Sequence, residues 1–408
     1  MSTVSHVADA SSVVTVRSLA KKSPFLFLVI VIVSAIPAFL EGFDANLYGF
    51  ASPFIVHQVH GTAAFLGTIA TGYALGIALF SLVGGYLFDK FSVKYTIMLS
   101  VAIFTVFTVI TGFVTTPSLL WASRFMVGVG TGIFQPAIIA LLGDIFFATR
   151  GRAVSAFAVF FGLGLFLSPY LINPFLPHYQ IPFVISGVAG VLSLLLVAIV
   201  IPRTYKNKEP YSLKIGKFFD RNVIVLSLSI FLFGIALFGF LSYDSDYLLN
   251  GLSLPSSKAA EIYSMGGLGG LICAFPLGYL ADKFGRKPIV TLASLLIMIG
   301  SVGMFLVSKS PAALFILTFS FGAGWGIYVD LVASLGQDSV NDSIAGTVTG
   351  WLFFVFNIGA MLGGPLFAAM LPHGFVIAGL VTMGGASILS FILTLLTRKV
   401  VSRSDLIA

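Results

Sequence analysis

The sequence predicts an all-α membrane protein of twelve transmembrane helices arranged as two pseudo-symmetric six-helix bundles. Three observations predict it: an apolar composition, twelve separate apolar runs of spanning length, and a motif that returns half a chain later. Of the 408 residues, 58% are hydrophobic and 9% charged, with a mean hydropathy of +1.06. Soluble domains carry about 25% charged residues, so a water-soluble domain of any size is excluded. The runs are continuous rather than alternating, which selects helices over barrel strands.

Residues 1–23 carry Arg17, Lys21 and Lys22 and lack a short apolar core with a small-residue cleavage site, so they read as a cytoplasmic tail rather than a signal peptide. Each following run reaches the roughly 20 residues needed to cross a ~30 Å hydrocarbon layer. The first six lie near 25–52, 63–87, 95–114, 118–141, 153–173 and 181–201, forming a bundle over 24–202. A polar stretch, 203–221, holds Arg203, Lys206, Lys208, Lys214, Lys217 and Arg221 and is expected to be a cytoplasmic linker. The second bundle, 222–398, takes the runs near 222–248, 260–281, 289–308, 311–333, 346–370 and 374–397, with a tail at 399–408.

With the N-terminus inside, nineteen of the 22 Lys and Arg residues fall on the cytoplasmic side. Lys258 and Lys309 fall outside and Arg124 lies within a span. Basic residues stay on the cytoplasmic side of short loops, so both termini are expected in the cytoplasm and the chain in the plasma membrane. The formal net charge of +7 is then an orientation signal, and no nucleic-acid partner is expected. A single cysteine, Cys273, excludes an internal disulfide.

The repeat is specific. Gly85-Tyr-Leu-Phe-Asp89-Lys90-Phe-Ser92-Val93-Lys94 aligns with Gly278-Tyr-Leu-Ala-Asp282-Lys283-Phe-Gly285-Arg286-Lys287. Gly128, Gly130 and Gly132 in the fourth span answer Gly322, Gly324 and Gly326 in the tenth, Asp144 answers Asp338, and Pro169 answers Pro365. Parallel repeats of six spans imply two bundles rocking about a site near the midplane.

Charges at membrane depth mark that site, because an ionised group there costs several kcal/mol unless it pairs, neutralises or meets water. Glu41, Asp44 and Tyr48 are spaced by three and four and share a helical face. At ~1.5 Å per residue, Asp44 and Arg124 lie roughly 13 Å and 10 Å below the outer surface, level enough to pair. A guanidinium favours the charged form of a neighbouring carboxylate, and that preference goes when the Arg turns away or meets a substrate. Asp44, Glu41 and Arg124 are therefore the expected proton-coupling residues; a static ion pair is the alternative.

Asn46, Tyr48, Gln135, Asp244, Asp246, Trp325, Tyr328 and Asn357 are candidates for the substrate cavity. Packing is the competing reading for the aromatics, and a solvated helix end for Asp244 and Asp246. The glycine runs read as helix contacts. His57 and His60 have no third ligand nearby in sequence, so no metal is expected, nor any cofactor. The absence of a nucleophile, metal cluster or cofactor motif speaks against an enzyme.

At the loop motif, G-x-x-x-D-[RK]-x-G-[RK]-[RK] between spans two and three and again between eight and nine, the chain resembles the major facilitator superfamily over nearly its whole length. Ser92 and Val93 depart from the motif in the first copy. Glu41-Gly42-Phe43-Asp44 resembles the D-G-Y-D signature of aromatic acid:proton symporters, and the Arg124-Phe-x-x-Gly-x-Gly-x-Gly run with Pro136 resembles their fourth span.

That resemblance implies alternating access and proton-coupled symport of a small organic solute such as an organic acid, by a monomer in the lipid bilayer. A sugar or polyol symporter and a proton-coupled drug antiporter are the alternatives; their fifth- and seventh-span signatures are missing. Asp330, toward the cytoplasmic end of the tenth span, is a candidate inner gate, and the resemblance implies a cytoplasmic gate at Gly85, Asp89, Lys90, Lys94, Asp144, Arg150, Gly278, Asp282, Lys283, Arg286 and Lys287, for which anchoring of short loops is the alternative. There a carboxylate would meet the positive end of a helix from the opposite bundle.

Overall fold

The computed structural model describes residues 24–90, 93–145, 150–201, 220–307, 310–340 and 345–398. The expected tails and residues 203–219 of the expected linker lie outside them. Among the described residues the helices are α1 (Pro24–Gln58), α2 (Ala63–Lys90), α3 (Val93–Gly112), α4 (Pro117–Ile145), α5 (Arg150–Ile172) and α6 (Gln180–Val200) in the first half. The second half contains α7 (Arg221–Asp246), α8 (Ser256–Phe284), α9 (Arg286–Leu306), α10 (Pro311–Asp338), α11 (Ala345–Met370) and α12 (Phe375–Leu396).

Among the described residues, eleven of these are long and apolar enough to cross a membrane. The helices overrun the hydrophobic stretches read from sequence, α1 to 35 residues. Two end in or contain π-helical turns, Tyr247–Gly251 after α7 and Leu380–Gly384 within α12. Pro37 and Pro53 lie inside α1, Pro169 in α5, Pro276 in α8 and Pro365 in α11. Such prolines are tolerated where neighbouring helices re-satisfy the freed backbone groups.

Glycines decide which helices touch. A side chain at Gly128 of α4 would strike the Tyr73 carbonyl of α2, and one at Gly322 of α10 the Gly266 carbonyl of α8. In the same way Gly130 packs on α3 and Gly324 on α9, while Gly42 of α1 meets Phe161 of α5 and Gly359 of α11 meets Phe231 of α7. The two halves thus use the same close approaches in the same order. Without a hydrophobic force between helices in lipid, such backbone-to-backbone contacts are the main source of packing energy.

The halves meet along α2 with α11, α5 with α8, and α1 with α7. These seams run through the middle and the end away from the basic loops, called here the distal end. Gly67 lies against Gly364, and Gly267 against Phe166. Thr71 donates to the Met361 carbonyl at 2.8 Å, Ser245 to the Phe50 carbonyl at 2.9 Å, and the Gly67 amide to the Tyr243 hydroxyl at 3.0 Å. The distal end is closed.

Candidate functional site

Glu41, Asp44 and Tyr48 project from one face of α1, as their spacing requires. Arg124, 2% exposed and brought in by α4, donates from Nη1 to Asp44 Oδ2 at 3.0 Å. Thr108 of α3 donates to the other oxygen, Oδ1, at 2.6 Å. The guanidinium lies over the Tyr48 ring at 4.2 Å and near the Tyr73 ring of α2 at 5.1 Å, placements that add cation–π attraction. Four helices therefore converge on one charge pair.

The pairing is incomplete by one charge. Gln135 donates to Glu41 Oε1 at 2.8 Å, but Glu41 Oε2, Arg124 Nε and the Tyr48 hydroxyl are buried with no hydrogen-bond partner. The guanidinium pairs with Asp44, and Glu41 is held by Gln135 alone. Buried polar atoms normally find partners, so these three are the spare valences of the site. Beside them is a cavity of about 40 Å³ between Tyr48, Tyr73, Arg124, Phe238, Leu241 and Ser242. Ligand pockets for drug-sized molecules occupy about 300–1,000 Å³; this one has room only for water-sized guests.

The other cavity candidates scatter. Asn46 faces away, donating to the Leu165 carbonyl of α5 at 2.8 Å. Tyr328 is fully buried inside the second half, its hydroxyl bonded to Ser229 at 2.7 Å and Ser390 at 3.1 Å, which is packing. Trp325 packs at a tilt beside Phe321, ring centroids 6.4 Å apart. Asn357 donates to its own helix at Phe353 and leaves Oδ1 without a partner. Asp244 and Asp246 are 3% and 4% exposed, which corrects the solvated-helix-end reading: the second half's distal end is covered by α1 and α2.

Asp246 Oδ1 accepts from Asn250 at 2.6 Å and borders a distal cavity of about 500 Å³ with His57, Gln58 and Tyr179. Tyr179, between α5 and α6, donates to Gln58 at 2.6 Å, and burial pushes its hydroxyl up to about 12, so it stays a donor. Among the described residues no three of His, Cys, Asp and Glu gather as a metal site.

At the basic end, Arg286 pairs with Asp338 at 2.7 Å and donates to the Ser334 carbonyl at 2.8 Å. Lys287 reaches the Thr397 carbonyl, and Lys94 the Ala198 carbonyl of α6. These basic residues tie helices together within one half. Gly278 lies against Ile327 of α10, Lys283 is exposed, and Asp330 is half-buried on α10. The side chains of Gly85, Asp89, Lys90, Asp144, Arg150 and Asp282 lie outside the described residues.

Sequence reading missed Thr108, Tyr73, Tyr243, Ser245 and Tyr263. For Thr108 a signal exists: Thr105, Thr108 and Thr111 recur every three residues through an apolar span, a polar stripe facing a partner. Tyr73 has no such mark.

Comparison with known proteins agrees with this architecture. The chain is 26% identical over 416 residues to a benzoate transport protein of Acinetobacter baylyi, covering 86% of each. It is 24% identical to a gentisate transporter of Corynebacterium glutamicum, over 86% of this chain and 83% of that one. Its fold matches a crystal structure of the nucleoside transporter NupG with a TM-score of 0.75 at 13% identity, covering 91% of this chain and 100% of that chain. Residues 34–364 match the Major Facilitator Superfamily, and with twelve helices repeating the same glycine contacts in each half, the chain is a multi-pass membrane transporter belonging to that family.

Proposed function

We propose that this protein carries an aromatic or related organic carboxylate across the plasma membrane together with a proton, by alternating access. The observation that supports this reading most is the Asp44–Arg124 pair with its unused Arg124 Nε, held beside Tyr48 and Tyr73. A guanidinium binds a carboxylate through parallel N–H donors, and the flanking rings offer faces to an aromatic solute.

The charge balance follows from the same groups. An incoming carboxylate competes with Asp44 for Arg124, and Asp44, losing its counter-charge, takes a proton from solvent. The assembly of Arg124, substrate and neutral Asp44 then carries no net charge and can close and reopen to the other side. On release, Asp44 returns to Arg124 and the proton leaves. Glu41, anchored by Gln135, holds a second proton-accepting position one turn away. The transport names of the benzoate and gentisate relatives support the substrate class.

Proteoliposomes with an imposed pH gradient test the proposal. Saturable uptake of hydroxylated benzoates above protein-free liposomes, collapsed by a protonophore, is expected. Gradient-driven extrusion of organic amines, with no carboxylate uptake, would instead establish the antiport reading.

Orientation is tested separately, since the 19-to-2 basic asymmetry calls for both termini in the cytoplasm. In intact cells an impermeant maleimide should modify cysteines placed at Ser118 and Ser310 and spare one at Ser212, which lies outside the described residues. Labelling at Ser212 would invert the topology.

A further inference from the structure

Asp244 has no part in the site described above, yet it is buried in the seam between the halves. It is 3% exposed, and its Oδ2 has no hydrogen-bond partner. Its chain neighbours clasp the opposite half: the Tyr243 hydroxyl accepts from the Gly67 amide at 3.0 Å, and Ser245 donates to the Phe50 carbonyl at 2.9 Å. Tyr263 of α8 packs on Phe50 with ring centroids 5.8 Å apart and presses its hydroxyl against Gly49. That hydroxyl is itself without a partner. The π-turn Tyr247–Gly251 follows at once, and such turns recur where a helix serves a function.

Among the described residues no cation is placed to neutralise Asp244. From α8 come Tyr263 and, at its exposed start, Lys258, which is paired with Glu261 at 2.9 Å. The titratable groups of α1 are Glu41, Asp44 and Tyr48, deeper in the protein, and His57 at its tip; α2 offers Tyr73, also deeper. Asp330 and Asp338 of α10 lie toward the basic end, and α11 and α12 hold no titratable side chain. On α7 and its π-turn the neighbours are Tyr243, Asp246 and Tyr247.

We propose that Asp244 is a further proton-binding residue, one that couples closure of the distal seam to protonation. An ionised carboxylate without a partner inside a closed seam carries a desolvation penalty of several kcal/mol. Closure therefore requires the neutral acid, and ionisation requires the seam to open and admit water. The closed state binds one more proton than the open state, so rising pH opens the distal end. This rests on the alternating-access part of the function proposed above, but on neither its substrate nor Asp44.

The test needs no substrate. In a Cys273→Ser background, spin labels at Thr62→Cys and Ser257→Cys, both exposed and in opposite halves, report the distal separation by double electron–electron resonance in nanodiscs. In the otherwise unaltered protein the open-to-closed ratio should rise with pH between about 5 and about 9, by up to about tenfold per unit for one linked proton. Asp244→Asn, and Asp244→Ser as a smaller neutral variant, should hold the short distance at every pH. A flat profile without the Asp244 change would overturn the proposal, as would a pH response retained in both variants. Closure driven by sodium at constant pH would replace the proton with a metal cation and equally overturn it.

Discussion

Asp44→Asn is expected to abolish accumulation of the substrate above equilibrium under a pH gradient while leaving exchange of internal for external substrate within several-fold of the unaltered protein. Asn keeps the size of the side chain; its one carbonyl oxygen can accept from Arg124 while its NH2 donates to the Thr108 hydroxyl, the two groups that reach the Asp44 oxygens at 3.0 and 2.6 Å. It cannot load or release a proton. The driven step therefore fails and the permeation step survives, an outcome that separates coupling from binding. Thr108→Val is the graded companion. Losing one hydrogen bond to a charged group costs about 1.5–3 kcal/mol and should weaken coupling without removing it. Full accumulation in Asp44→Asn would move the proton to another acid, and repeating the measurement with Glu41→Gln tests the nearest one.

Arg124→Ala should be the most damaging single change to both stability and carboxylate affinity. Removing one partner of a buried pair leaves an uncompensated charge, typically at a cost of about 3–5 kcal/mol, and here the orphan is Asp44, whose side chain is 4% exposed. Thermal unfolding in detergent should fall clearly, and affinity for a hydroxylated benzoate should fall at least about tenfold, the equivalent of 1.4 kcal/mol. Combining Arg124→Ala with Asp44→Asn should recover stability relative to Arg124→Ala alone, because the orphan charge is gone; that non-additivity measures the pair. Arg124→Lys should fall between, keeping the charge but losing the planar fork above Tyr48. Unchanged stability and affinity in Arg124→Ala would mean that the pair contributes neither to folding nor to recognition.

Close packing of the glycine runs and contact between Asp44 and Arg124 are both present in the structure. Each was readable for a one-dimensional reason. Glycines at every second position leave no side chain to hold two helices apart, and depth in a membrane follows from counting residues at a fixed rise. Tyr328 and Asn46 show where such counting stops. Both are polar residues inside spans, as Tyr48 is, but one turns into a hydroxyl cluster with Ser229 and Ser390 and the other toward the Leu165 carbonyl. The hydroxyl of Tyr48 is left free instead.

The sequence by itself determined that this is a membrane protein, that it is helical, that its two halves repeat and that ionisable groups sit at depth in the first and fourth spans. These are properties of composition, period and spacing along one chain. Only the tertiary structure decided that Thr108 holds the second oxygen of Asp44, that Arg124 is stacked between Tyr48 and Tyr73, and that Asp244 is buried in a seam rather than solvated at a helix end. Each depends on how a helix is rotated and which helix of the other half covers it. Those rotations are set by contacts between residues as distant as Gly67 and Gly364, through backbone approaches that no local pattern encodes.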